Sequence, residues 1–167
     1  LNEVATASIA WQWTDTEIAD HFANFIDYTP GKMGGTPGAV EMQVNKLAGD
    51  YGIQLTNNQI SQYVSGIMHQ GYTEDNIKGF MRDMAKSKYS GMAGFLDQGM
   101  TVRQVAAPYI SSYSNLLEVD GDTVNLNDNI IQQALQGTPA APGQPPQMKS
   151  VYQFERDVRR DPRWVRT

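Results

Sequence analysis

Gly71-Tyr72-Thr73, set between Gln54-Leu55-Thr56…His69-Gln70 and Glu74-Asp75-Asn76-Ile77, decides how this chain is read. Glycine suits the left-handed position that closes a helix, because it has no Cβ to clash there. Tyr72 can pack back on the helix it leaves, and the Thr73 hydroxyl can cap the helix that follows. The arrangement returns at Gly99-Met100-Thr101. Reduced to an apolar residue, threonine and an Ile or Val four beyond, it occurs at Trp13-Thr14…Ile18, Leu55-Thr56…Ile60, Tyr72-Thr73…Ile77 and Met100-Thr101…Val105. Each places a hydrophobic staple across a helix start, and Glu17, Gln59 and Gln104 stand where a capping box needs them.

Working outward, apolar residues recur at helical spacing. Ile18, Phe22, Phe25 and Ile26 share one face, as do Val40, Val44, Leu47, Ala48 and Tyr51. Helices are predicted after Thr56 and Thr73, with a weaker one over 90–98 that carries Gly91 and Gly94. Pro108 predicts a kink or restart in the run from Val102 to Leu117. Tyr28 to Gly38, with Pro30 and a glycine cluster, reads as a loop, and Asn127 reads as the cap of a helix ending near Gly137. No stretch alternates with period two long enough to predict a strand. The expected fold is all-α: a compact multi-helix domain over 1–136, a Pro/Gly-rich spacer over 137–149 and a C-terminal helical arm over 150–167.

The spacer, Gly-Thr-Pro-Ala-Ala-Pro-Gly-Gln-Pro-Pro-Gln-Met-Lys, has prolines at 139, 142, 145 and 146, which favour an extended polyproline path. Beyond it Ser150 and Gln153 form a box pattern, and Val151, Phe154 and Val158 make a thin apolar edge. From Lys149 onward six basic residues face three acidic ones. Such a helix needs a surface to lie on, and an extended spacer would let a neighbouring chain supply it. The expected interface is Val151, Phe154, Val158, Arg159, Arg160 and Trp164.

Composition narrows the chemistry. The chain has 167 residues, a net charge of -5 and no cysteine. The acidic balance disfavours a general nucleic-acid surface, leaving the basic arm as the place where phosphates could bind. Thiolate chemistry and disulfides are excluded, no apolar run approaches the ~20 residues of a membrane span, and no signal peptide is visible. An opening Leu1 in place of Met suggests a piece of a longer polypeptide.

Candidate sites favour plain explanations. His21 and His69 lie too far apart for a helical metal pair. Gly31-Lys32-Met33-Gly34-Gly35-Thr36 lacks the order of a phosphate loop. Asp120, Asp122, Asn125 and Asp128 break the calcium-loop pattern, since the sixth position is Asn125 and the twelfth is Ile131. Glu17 and Glu74 suit first helical turns, whereas Glu118 has no such account. No catalytic group, cofactor or metal ligand is therefore assigned. Pro139, Pro142 and Pro145 give PxxP spacing, which suits a linker better than an adaptor ligand.

A resemblance adds a function. Tyr51-Gly52-Ile53, Gly99-Met100-Thr101-Val102-Arg103-Gln104-Val105-Ala106-Ala107-Pro108-Tyr109, Leu117-Glu118-Val119 and Phe154-Glu155…Val158-Arg159-Arg160-Asp161-Pro162-Arg163-Trp164 follow one another in order. Together they resemble helical segments of virion structural proteins from tailed actinobacterial phages, in the tape-measure or internal-virion class. The resemblance covers about residues 45–167. It implies an assembly role in the phage particle, with other virion proteins and copies of the chain itself as partners, and carries no catalytic residue. The rival expectations are a helical cell-wall hydrolase using Glu118 or Glu17 as acid, and an adaptor whose proline segment is the ligand.

Overall fold

The computed structural model describes Thr14 and residues 28–139, 141–144 and 146–164. The helix expected after Thr14, with Ile18 and Glu17, lies outside the described residues, as does His21. Among the described residues the protein is all-α apart from one short ladder. In chain order the elements are α1 (Gly35–Asp50), α2 (Asn57–His69), α3 (Glu74–Lys88), a 3-10 turn (Ser90–Met92), α4 (Ala93–Asp97), α5 (Val102–Val105), α6 (Ala107–Leu117), a second 3-10 turn (Gly121–Thr123), α7 (Asn129–Gln136), β1 (Thr138–Pro139), β2 (Pro146–Gln147) and α8 (Val151–Val158).

The chain divides into two compact units, Leu1–Val44 with Thr56–Thr73, and Asn45–Leu55 with Glu74–Thr167. This corrects the expected boundaries, because 137–167 belong with α3 to α7 and form no separate arm. The physical reason is burial: Phe154 and Val158 are fully enclosed, and α8 packs on α6 and α7.

In the first unit, Thr56 caps α2 with a complete box. The Gln59 amide donates to the Thr56 hydroxyl at 3.3 Å, and the Thr56 amide donates to the Gln59 side chain at 2.9 Å. Ile60 and Val64 are buried. At the other end the Tyr72 amide donates to Gly66 O at 3.0 Å, closing the helix through Gly71 at φ 70°. Tyr72 does fold back on the helix it leaves: a Cβ on Gly66 would stand 2.4 Å from its ring, so only glycine admits that approach. Tyr28 is hydrogen-bonded to His69, and the two rings meet edge-on at 5.8 Å. His69 thus has a structural role. The expected loop over 28–38 is shorter than the glycines suggested. α1 begins at Gly35 and accommodates Pro37 in its first turn, where a missing N–H is harmless.

In the second unit, Ile77, Met81, Ala85 and Tyr89 bury one face of α3, and α3 begins directly after Thr73. Thr101 repeats the box with Gln104 at 3.2 and 2.8 Å, and Gly99 lies at φ 86°. Met100 and Val105 are half-buried beside fully buried Val102. Pro108 sits in the first turn of α6, so the helix restarts there as expected. Gly91 is required, not merely tolerated: a Cβ there would stand 2.5 Å from Pro146 O. The cap of α7 is Asp128, whose carboxylate accepts from the Ile130 amide, and this corrects the assignment to Asn127. Asn127 is engaged elsewhere, accepting from Lys88 Nζ and Gln132 Nε2, each at 2.9 Å.

Candidate functional site

The region that carries the expected function is α8 with the segments flanking it. Ser150 starts the helix, accepting from the Gln153 amide at 3.3 Å while the Gln153 side chain accepts from the Ser150 amide at 3.2 Å. A local box therefore sets where the helix begins, and four-residue spacing sets which side is apolar. That side turns inward. Phe154 meets Tyr109 of α6 edge-on, with ring centroids 5.4 Å apart. Full burial of side chains such as Phe154 and Val158 stabilises by about 1.5–3 kcal/mol each. The expected interface residues Phe154 and Val158 are thus spent within the chain, and Val151 is half-buried. A neighbouring chain cannot reach them while α8 stays docked.

Polar contacts fix both ends of α8. Before it, the Lys149 amide donates to Ala134 O of α7 at 2.9 Å, and the Tyr109 hydroxyl donates to Lys149 O at 2.5 Å. Along it, Ser112 of α6 donates to Glu155 at 3.1 Å, and Arg159 pairs with Glu155 at 3.4 Å. After it, Arg163 bridges Asp128 at 2.6 Å and Asp161 at 2.7 Å, and donates to the Tyr113 hydroxyl at 2.8 Å. Tyr113 in turn donates to Asp128 at 2.9 Å. Burial, then the bond to Asp128, pushes the Tyr113 hydroxyl up to about 12. Burial alone would raise the Asp128 carboxyl, but hydrogen bonds from Arg163, Tyr113 and the Ile130 amide outweigh it and hold the group low. The bond from Arg163 holds Asp161 at about 2. Sequence reasoning missed this cluster. Asp161-Pro162-Arg163 is plain in the sequence, but the further partners of Arg163 lie 35 and 50 residues away.

The Pro-rich segment is not an extended spacer. It turns back on itself, pairing Thr138 with Gln147 and Pro139 with Pro146 in an antiparallel ladder. Pro139, Pro142 and Pro146 therefore stand in a folded hairpin and not in the open conformation that a PxxP ligand requires. A recess of about 270 Å³ opens beside it, lined by Thr138, Lys149, Gln153, Arg156 and Asp157. Lys149 and Asp157 pair there at 2.8 Å, which leaves Arg156 as the one cation of the lining outside an ion pair among the described residues.

What α8 leaves to solvent is its outer face. Tyr152 is 68% exposed, and Arg156 and Arg160 follow at four-residue intervals, Arg160 in the turn just past the helix. Neither arginine enters an ion pair or side-chain hydrogen bond among the described residues. Trp164, at 38% exposure, stands at the end of the segment.

The hydrolase expectation does not fit the geometry at Glu118. That residue caps α6 in the left-handed conformation and is exposed, without the apolar enclosure that a general acid of this kind uses. Glu17 lies outside the described residues. Among the described residues no group of three or more acidic, histidine or cysteine side chains is placed to hold a metal, and no helix is long and apolar enough to cross a membrane. No known protein family, characterised protein or solved structure matches the chain.

Proposed function

We propose that this chain is a structural module of a phage virion, built into the tail, connector or interior of the particle by packing against other virion proteins and copies of itself. What supports this, beside the ordered phrases that resemble such proteins, is the outer face of α8. A helix held by its inner edge presents Tyr152, Arg156 and Arg160, and among the described residues no ion pair meets either arginine. Tyrosine and arginine are the residues that dominate contact energies when desolvated at an interface. An acidic protein surface is the partner this face fits best. Packaged DNA is the other anionic surface in a virion.

The test is incorporation. A chain carrying Tyr152→Ala, Arg156→Glu and Arg160→Glu is supplied during particle assembly, and purified particles are probed for it. The expected result is loss of the variant from particles with its circular dichroism unchanged, while the parent chain stays in opened particles after nuclease treatment. Normal incorporation of the variant would sink the proposal. Release of the parent chain by nuclease would replace protein packing with DNA binding.

A further inference from the structure

We infer that residues 137–149 are an exchange hinge, through which α8 docks either on α6 and α7 of its own chain or, with the hinge opened, on the same surface of a second copy. The inference deepens the assembly proposal and rests on it for the use made of the exchange. The hinge itself is argued from its own geometry.

Three observations carry it. First, the main contacts that seat α8 among the described residues are between α8 with its flanks and the α6–α7 surface: Phe154 on Tyr109, Lys149 on Ala134 and Tyr109, Glu155 on Ser112, Arg163 on Asp128. A second copy would supply all of them unchanged. Second, the hairpin's own ladder is weak, although Pro146 also rests on Gly91. Of its two residue pairs, Pro139 with Pro146 has no N–H to donate on either side. Third, closure depends on one backbone position. Gly137 lies at φ 66°, ψ -168°, a conformation essentially confined to glycine. A Cβ there would stand 1.8 Å from Gln147 O, inside the body of the facing strand. Opening the hinge removes both demands. Prolines at 139, 142, 145 and 146 then favour an extended path, and twelve steps at about 3.1 Å span roughly 37 Å, enough to reach a neighbour.

The chain has no cysteine, so exchange can be read by placing one on each side of the contact. Ser112 Oγ and Glu155 Oε1 lie 3.1 Å apart. A Ser112→Cys chain and a Glu155→Cys chain are refolded together and treated with a short bismaleimide. Only an exchanged dimer puts the two thiols from different chains side by side. Sedimentation velocity is run in parallel, in the parent hinge and in Gly137→Ala. The expected result is a concentration-dependent dimer for the parent, an at least tenfold tighter dimer for Gly137→Ala, consistent with roughly 1.4 kcal/mol or more of closed-state strain, and cross-linking between chains in both. A second variant deletes 141–144, leaving a two-residue turn of Ala140-Pro145. Tight two-residue hairpins of type I′ need positive φ at both positions, which Pro145 cannot adopt, so this chain too should dimerise by exchange. A monomeric Gly137→Ala chain with its helicity intact overturns the inference. So does a dimer that gives no cross-link between chains, or loss of helicity in both hinge variants. The measurement uses the purified chain alone, so exchange can fail while incorporation into particles stands, and the reverse.

Discussion

Glu118 closes α6 at φ 53°, ψ 38°, the one non-glycine residue at positive φ among the described residues. Its amide donates to Ser114 O, and the Val119 amide reaches the same carbonyl at 3.2 Å, so the helix end is well bonded despite the side chain. For an L-residue the left-handed conformation costs about 1–2 kcal/mol, whereas glycine adopts it freely but loses more entropy on folding. Conformational relief is the larger of the two effects, because no hydrogen bond or ion pair holds the exposed carboxylate among the described residues. Glu118→Gly is therefore expected to stabilise by about 0.5–1 kcal/mol, raising the melting temperature by roughly 2 °C in a thermal scan. An unchanged or lowered melting temperature would mean that the carboxylate does something the geometry does not reveal.

Among elements, α8 separates an inner edge that holds the fold from an outer face that is free. Phe154→Ala removes a fully buried ring and its edge-on contact with Tyr109, a loss of about 3–5 kcal/mol. Tyr152→Ala, two residues away and 68% exposed, should stay within about 0.5 kcal/mol of the parent. Urea unfolding followed by circular dichroism distinguishes them, and equal effects would mean that α8 is not seated on α6. The same contrast shows what was legible beforehand. Capping boxes at Thr56, Thr101 and Ser150 are decided by residues three apart, so the sequence exposes them directly. The docking of α8 and the cap of α7 were not legible. Phe154 depends on Tyr109, forty-five positions earlier, and Asn127 yields the cap to Asp128 because Lys88 from α3 recruits its side chain. The proline segment misled for a related reason. Proline content argues for an extended path, but contact with Gly91 and pairing with Gln147 select the hairpin.

Across the whole molecule, charge is distributed by unit and not between a body and an arm. The ranges Leu1–Val44 and Thr56–Thr73 contain six acidic residues and one lysine, a balance of -5, while the second unit has twelve of each sign and is neutral. Three of the arm's cations, Lys149, Arg159 and Arg163, are thus matched within their own unit, by Asp157, Glu155, Asp128 and Asp161, and Arg156 and Arg160 are the exceptions among the described residues. Stability should then depend on pH at both extremes. On the acid side, Asp128 and Asp161 have carboxyl groups held low in the folded state, so their contribution is present above the ordinary aspartate value near 4 and fades as pH falls toward about 2. On the alkaline side, burial pushes Tyr89 up to about 12, and burial with the Asp128 bond does the same for Tyr113. The unfolded chain releases these protons from about pH 10, before the folded one does, so stability is full below pH 10 and is lost as pH rises to about 12. Lys88, lowered by burial, works in the opposite sense, but Tyr63 and Tyr109, raised mainly by burial, add to the same limb. The tyrosines therefore prevail. Tyr89→Phe is the informative variant, because Lys88 still donates to Gly52 O at 2.8 Å when the Tyr89 hydroxyl is gone. Melting temperatures measured from pH 8 to 12 should fall steeply in the parent and less steeply in Tyr89→Phe, the difference at pH 12 being at most about 2 kcal/mol. Parallel curves for the two chains would show that the Tyr89 hydroxyl ionises as readily folded as unfolded, and that its burial against Gly52 is not maintained in solution.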